Sequence, residues 1–356
     1  MKLSTLALSF VFLLTTVMAT NSTVPGATNG TTSHYITVRN QTYHYLHALP
    51  SPGITPKGTI LLFHGLPDFS YGWRHAISFL SSLGYRLLVP DMLGAARTSA
   101  PCPISRYTFK EMSADIAAIV DAVLGPNAQV IVGGHDWGTG VAYKFPMWYP
   151  EKTKALFALS YPYTQTYFGP NEQWVDLQEL VDSGVYETYG YQLQWRDVSF
   201  DRNFTSKEDI RTLLTALIGG STADGRYAVS EKSGILYDVL PDIAPDSGFL
   251  KGEELEIYVD AISRNGVRGG WNWYRTRRMN FEDELDVAKA GGFRYKLPAL
   301  FIPSLQDTTV LPRYYEEEMR ASFDDLTIEP LNKSHWLLVE DPQGVNQVLE
   351  KWLADL

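Results

Sequence analysis

The chain has 356 residues, enough for one large domain or two ordinary ones; 45% are hydrophobic and 20% charged, a globular balance that excludes a disordered chain. A net charge of −10 without any Lys/Arg cluster excludes a nucleic-acid binder that works through a basic patch. Cys102 is the single cysteine, which excludes an intrachain disulfide, a thiol redox pair and a cysteine-based metal cluster.

In chain order, Met1-Lys2 supplies one positive charge, Leu6–Met18 is a nearly unbroken apolar run, and Val17-Met18-Ala19 has small residues at both ends. This is the plan of a signal peptide over residues 1–19. The run is shorter than the roughly 20 apolar residues of a membrane-spanning helix. The expectation is a secreted, extracellular protein with no stable membrane insertion, an uncleaved anchor being the competing reading. Residues 20–33, rich in Thr, Ser, Gly and Asn, read as a flexible leader. Sequons at Asn21, Asn29, Asn40 and Asn203 are glycosylation candidates that agree with this route.

His34–Val38 and Thr42–His47 read as two strands around a polar turn at Asn40. Thr59–Phe63, Tyr85–Val89, Gln129–Val132 and Ala155–Leu159 are short apolar runs of the kind buried in parallel sheets. Helical spacing separates them: Gly72–Leu83, Phe109–Leu124 and Trp137–Trp148. The alternation predicts an α/β core over residues 34–162. Helical signals then dominate residues 163–295, in Asn171–Val181, Ser206–Ile218, Lys251–Arg264 and Asn272–Asn280, with no clear strand run among them. Ala299–Ile302, Thr327–Leu331 and a last helix near Gly344–Leu356 resume the α/β pattern over residues 296–356. One α/β core with an inserted helical cap accounts for this order, and a cap leaving the carboxyl ends of the strands would roof the ligand site.

The chemistry-bearing residues follow strands. In Ile131-Val132-Gly133-Gly134-His135-Asp136-Trp137-Gly138, Gly134 and Gly138 bracket Asp136 as glycines bracket the serine of a G-x-S-x-G nucleophile elbow. Spacing alone leaves an elbow and an ordinary Asp helix cap equally balanced. Chain order separates them: Asp307 follows one late strand and His335 the next, giving nucleophile, acid, histidine, as in the α/β-hydrolases. His335 would be the base and Asp307 would orient its imidazole. His64-Gly65-Leu66-Pro67 follows the strand Thr59–Phe63, where the Leu66 N–H can pair with that of Trp137 as an oxyanion hole. His64, Gly65 and Pro67 are expected to shape that loop, and His135 to point into the fold.

These motifs resemble those of the soluble-type epoxide hydrolases of the α/β-hydrolase fold, in a secreted, fungal-like form. The resemblance extends to Phe63–Arg74, to Pro90-Asp91-Met92-Leu93-Gly94, to Ser334-His335-Trp336, and to the cap segments Tyr191-Gln192-Leu193-Gln194 and Asn272-Trp273-Tyr274-Arg275. It covers the chain from about Ser33 to Leu356. It implies that Tyr191 and Tyr274 hold the epoxide oxygen; without it, each would read as packing. It further implies an Asp136 alkyl ester hydrolysed by water, with no metal and no organic cofactor. The reactants are an apolar epoxide and water; a homodimer is the assembly left open. Ser334, where a glycine often stands, and Ala95-Ala96, in place of a Gly/aromatic pair, depart from the family pattern. The sequon at Asn332, three residues before His335, is expected to be empty. The competing functions are haloalkane dehalogenase, which shares the Asp-Trp pair, and a non-catalytic ligand-binding relative. Leu66 has no side-chain donor for a halide, and the intact Asp136/Asp307/His335 set argues against the second.

Overall fold

A computed structural model of the chain describes residues 17–20, 30–164 and 172–356. Its strands are β1 (Val17–Thr20), β2 (Thr31–Val38), β3 (Gln41–Ala48), β4 (Gly58–Phe63), β5 (Tyr85–Pro90), β6 (Val130–His135), β7 (Thr153–Leu159), β8 (Val229–Ser230), β9 (Gly234–Ile235), β10 (Ala299–Ile302) and β11 (Leu326–Ile328). The helices of the α/β part are α1 (Arg74–Ser82), α2 (Phe109–Leu124) and α3 (Trp137–Trp148). The following segment carries α4 (Leu177–Asp182), α5 (Tyr191–Trp195), α6 (Lys207–Leu217), α7 (Gly252–Ser263), α8 (Gly266–Trp271) and α9 (Arg277–Lys289). Last come α10 (Glu316–Ser322), α11 (Leu337–Glu340) and α12 (Pro342–Ala354).

Among the described residues nine strands form one sheet in the order β1-β2-β3-β5-β4-β6-β7-β10-β11. The pairs from β1 to β5 run antiparallel, and those from β5 to β11 run parallel. The chain leaves β4 toward β5 on one side and returns to β6 on the other. That reversal opens a crevice at the carboxyl ends of β4 and β6, where open α/β sheets bind ligands. His64 and Asp136 are the residues that follow those two strands.

Alternation along β4 separates the two faces. Ile60 and Leu62 join a core with Trp73, Ile77 and Leu80 of the α1 side and Leu349 and Trp352 of α12. Leu61 and Phe63 face a second core with Met112, Ile116 and Val120 of α2 and with aromatic residues of the inserted segment. Helix α2 starts where Thr108 accepts a hydrogen bond from the Glu111 N–H. Helix α6 starts with a reciprocal box between Ser206 and Asp209.

Several elements differ from the sequence reading. Thr31–Ser33, read as leader, pair with Leu46–Ala48, because the β-branched threonines extend the hairpin and Ser33 is buried. Val17–Thr20 lie as an edge strand against β2, while residues 1–16 and 21–29, with the rest of the signal reading and the sequons at Asn21 and Asn29, lie outside the described residues. Helix α4 begins only after Asp176, whose carboxylate accepts the Gln178 N–H. The stretch Asn272–Asn280 divides into a 3-10 turn, Asn272–Arg275, and α9, which runs on to Lys289. The cap segment also carries the two-residue strands β8 and β9, too short for a periodic signal. Strand β11 ends at Ile328, leaving an irregular approach to His335 with one bridge between Ser304 and Leu331. Asn40 and Asn203 are exposed. Among the described residues no helix is long and apolar enough to cross a membrane.

Trp73 is fully buried and packs edge-on against Phe157 of β7. Trp73→Ala is expected to lower stability by about 3–5 kcal/mol, read as a fall in the urea midpoint at unchanged slope.

Candidate active site

Asp136 sits between β6 and α3 with φ 52° and ψ −126°. Its carboxylate makes no helix-capping bond, so the capping reading is excluded. The turn is closed by close packing. A Cβ on Gly134 would lie 2.4 Å from the Gly138 carbonyl oxygen, and one on Gly138 would lie 2.2 Å from that of Phe63. The Asp136 carbonyl accepts from the Thr139 N–H at 3.0 Å and the Thr139 hydroxyl at 2.7 Å, which pins the backbone beneath the carboxylate.

The structure brings the three predicted polar side chains together. His335 Nδ1 is 2.6 Å from Asp307 Oδ2, and its Nε2 is 3.3 Å from Asp136 Oδ2. Asp307 is fixed in turn through Oδ1, which accepts from the Thr309 N–H and hydroxyl at 2.8 and 2.7 Å. Burial pulls the imidazole toward neutrality, but the Asp307 charge and the hydrogen bonds the ring donates to both carboxylates outweigh it and raise its pKa to about 10. Burial raises Asp136, while the hydrogen bond and charge of His335 turn the net shift downward. Asp307 is likewise lowered against its burial, by the His335 charge first. At neutral pH the group is an imidazolium between two carboxylates.

The Leu66 N–H donates to Asp136 Oδ1 at 2.8 Å. Only glycine fits at position 65, since a Cβ there would lie 2.2 Å from that oxygen. The Trp137 N–H is the first of α3 and lies outside the helix ladder. His64 has the structural place expected of it: Nε2 accepts the Met92 N–H at 2.7 Å, so Nδ1 carries the proton and donates to the Gly65 carbonyl at 2.8 Å. The Leu66–Pro67 peptide is cis. His135 points into the fold and its Nε2 donates to the His335 carbonyl at 2.9 Å. Burial, then the neighbouring His335 charge, lowers its pKa to about 4, so it stays neutral.

Tyr191 opens α5 and Tyr274 lies in the turn before α9. Their rings meet edge-on at 6.2 Å, and Tyr274 stands edge-on to Trp137 at 4.8 Å. Both line one cavity of about 490 Å³ with Asp136, Asp307 and His335. Burial first, then neighbouring tyrosines and the Asp136 carboxylate, raise both phenols well above their ordinary value. They are therefore donors across the working pH range. Leu66, Trp195, Leu217 and Trp271 give the cavity its apolar wall, with exposed Tyr227 and Phe249 among its lining. Among the described residues no cluster of His, Cys, Asp or Glu is arranged to hold a metal ion.

Residues 58–230 match the alpha/beta hydrolase fold family. Epoxide hydrolase srdG of Neurospora crassa is 36% identical over 90% of this chain and 95% of its own length. The chain belongs to the α/β-hydrolase-fold epoxide hydrolases. Epoxide hydrolase A of Mycobacterium tuberculosis is 30% identical over 83% of the chain and 90% of its own length. The crystal structure of an epoxide hydrolase from Vigna radiata has the same fold, with a TM-score of 0.72 at 24% identity over 92% of this chain and 99% of that one.

Within this epoxide hydrolase fold, several supporting residues carried no sequence signal. Gln192 Nε2 donates to the Tyr191 hydroxyl at 3.2 Å, so that hydroxyl's own proton is left to point elsewhere. Ser160 Oγ donates to the His335 carbonyl at 3.0 Å. Ser334, one of the family departures, donates its N–H and hydroxyl to Glu340 at 3.0 and 2.6 Å, which ties the irregular histidine loop to α11. Exposed Asn332 accepts from Gln306, which lines the large cavity.

The sign of the coupling is testable. The folded-state pKa of His335 is raised, so its pairing stabilises the fold fully below the unfolded value near ~6.5 and is lost as pH rises toward about 10. In Asp136→Asn one of the two carboxylates is neutral, and the His335 imidazole titration followed by NMR is expected to move down by at least one unit. An unmoved midpoint would separate the two groups electrostatically.

Proposed function

We propose that this chain hydrolyses an apolar epoxide to a vicinal diol, with Asp136 as nucleophile. The carrying observation is that Asp136, the Asp307–His335 pair, Tyr191 and Tyr274 all line one cavity. Asp136 Oδ1 is held by the Leu66 N–H, and Oδ2, on the His335 side, attacks an epoxide carbon. The carbon–oxygen bond of the ring breaks, and the departing oxygen takes a proton from a cap tyrosine as its charge develops. A phenol held neutral by burial keeps that proton until the alkoxide forms.

The ester carries no charge, so one of the two carboxylates that raise His335 is gone. Its pKa falls, and Nε2 gives up the proton it carried, which restores the phenol that protonated the ring oxygen. The neutral imidazole then takes a proton from the water that attacks the Asp136 carbonyl carbon. The oxyanion of the tetrahedral intermediate forms at Oδ1, which already accepts from the Leu66 N–H, with the Trp137 N–H as its second donor in this reading. On collapse the leaving diol oxygen takes the proton that His335 accepted from water, and the regenerated acid passes its own proton back to His335, which restores Asp136 with one oxygen from water. Leu66 offers no side-chain donor to a halide, and its side chain packs against Gly270, which supports the epoxide over the haloalkane reading.

Secretion is part of the same reading. Cleavage after Ala19 would remove most of the edge strand β1 and leave the other eight strands paired. Exposure of Asn40 and Asn203 supports glycosylation there, and contact between Asn332 and a cavity-lining residue supports an empty sequon at that position. Expression in a secreting eukaryotic host is expected to give a protein in the medium that begins at Thr20. A chain retained in cells with Met1 intact would overturn this.

Repeated turnover in heavy-oxygen water is expected to label the Asp136 carboxylate, read by mass spectrometry of its peptide. Asp136→Asn should yield no diol, and Tyr191→Phe and Tyr274→Phe should each lower kcat by roughly 10²-fold or more. Diol from an unlabelled Asp136 would replace the ester route with direct attack by water.

A further inference from the structure

A second, smaller cavity of about 80 Å³ meets the large one at Asp136 and Tyr191, which line both. Its walls are aromatic, among them Phe109, Trp137, Tyr143 and Tyr161. Its lining also includes a buried cation. Lys144 of α3 has a side chain 4% exposed, and its Nζ donates to Glu284 of α9 at 2.6 Å. The Nζ also lies 4.8 Å from the centre of the Tyr163 ring. Its other hydrogen bond, to the Thr164 carbonyl, is 3.5 Å long. An ammonium has three donors, and among the described residues one of them has a strong partner.

A buried ion pair of this kind costs more in desolvation than a well-packed apolar pair. No step of the reaction derived above uses it. It joins α3, which begins at the nucleophile, to α9, which follows Tyr274, and it lines a cavity open to the reacting carboxylate. An apolar substituent would leave the weakly bonded N–H unchanged. An oxygen acceptor entering the cavity would exchange the 3.5 Å contact for a bond of ordinary length. Glu284 already balances the charge of Lys144, so this lysine offers a donor and not an uncompensated positive charge; Arg277 and Asp136 are the other charged residues of the lining.

We propose that the Lys144 end of the small cavity is a specificity site for a substrate oxygen. The epoxide it selects is disubstituted, with one short arm ending in a neutral acceptor such as a hydroxyl or carbonyl. The other arm is longer and apolar and lies in the large cavity. Lys144 sets which epoxide is bound and in which direction, and takes no part in bond making. The proposal rests on the epoxide-hydrolysing reading and adds the substrate class to it.

The test uses three trans-disubstituted epoxides that share one pentyl arm. The second arm is propyl, hydroxyethyl or carboxymethyl, of matched length. With the wild-type enzyme, kcat/KM for the hydroxyethyl epoxide is expected to exceed that for the propyl and carboxymethyl epoxides by roughly 10- to 100-fold, the range of a hydrogen bond to a charged donor. Lys144→Met/Glu284→Met removes both charges together, and the hydroxyethyl-to-propyl ratio is expected to fall to within about threefold of unity. Because the readout is a ratio, a variant that yields less folded enzyme gives the same answer, and the wild-type series decides alone if the variant does not fold. Equal rates in the wild type, a ratio that survives in the double variant, or a preference for the carboxymethyl arm would each overturn the proposal. Diol from none of the three, with Asp136 unlabelled, would instead remove the reaction on which it rests.

Discussion

Asp136 holds a backbone conformation that a residue with a side chain adopts only at a cost of order 1–3 kcal/mol. It persists because three chain segments close in on it. Gly134 and Gly138 allow β6 to turn directly into α3, and Gly138 lets α3 press on the end of β4. Gly65 then brings the next loop within reach of the carboxylate. The same contacts aim Asp136 into the crevice and place the Leu66 N–H on one of its oxygens. Relaxing the turn would release both at once, so the nucleophile and half of its oxyanion hole share one constraint.

Charge follows from that placement. A lone carboxylate buried beneath a cap would be pushed toward its neutral form, and a neutral acid cannot attack. The imidazolium of His335 keeps Asp136 ionised, and Asp307 keeps His335 charged. The arrangement also carries the signal for the second half of the reaction. Ester formation removes the Asp136 charge, and with it part of the field that held the proton on His335. The base is thus released by the chemistry that creates its substrate. The two phenols contribute in the opposite sense: the burial that threatens a carboxylate keeps a tyrosine neutral and able to donate.

Asp136, Asp307 and His335 were legible in the sequence because each follows a strand or a strand-like run, and strand ends have local marks: an apolar run, then glycine or proline. Tyr191 and Tyr274 had no such marks, and only likeness to a family raised them above the other aromatic residues. Gln192 fell within a segment of that likeness but without a role, and Ser160, Glu340 and Lys144 were not legible at all. Each acts through a partner distant in the chain or through a neighbour whose role was itself hidden, as Lys144 does with Glu284 140 positions on. The misread elements share one cause. Strands β8 and β9 are two residues long, and β11 stops early at the sheet edge, where few buried neighbours enforce alternation. Thr31–Ser33 erred the other way, polar enough to read as linker yet drawn into the hairpin by pairing with β3.

The cap must be rigid for its phenols to meet an oxygen developing charge on the core, and the seam between the two adds directional polar contacts to its apolar packing. Tyr258 donates to the buried Asp68 at 2.9 Å, and Arg74 pairs with Glu254 at 2.9 Å. The Trp273 indole N–H donates to the Leu93 carbonyl at 3.1 Å, one residue before Tyr274. Asn265 Nδ2 faces the carbonyls of Gly94, Ala96 and Thr98 within 3.0–3.3 Å. That last contact gives the Ala95-Ala96 departure a physical sense. Both alanines are buried, and Gly94 packs so tightly on Gly269 that a Cβ would lie 2.4 Å from its carbonyl oxygen. A bulky side chain in this loop would need room in a seam where the two backbones already touch. Apolar packing alone would let the cap slide, since it specifies area and not direction. Directional bonds to core carbonyls fix the angle at which α8 and the Tyr274 turn leave the seam, and that angle sets where the acid stands relative to the nucleophile.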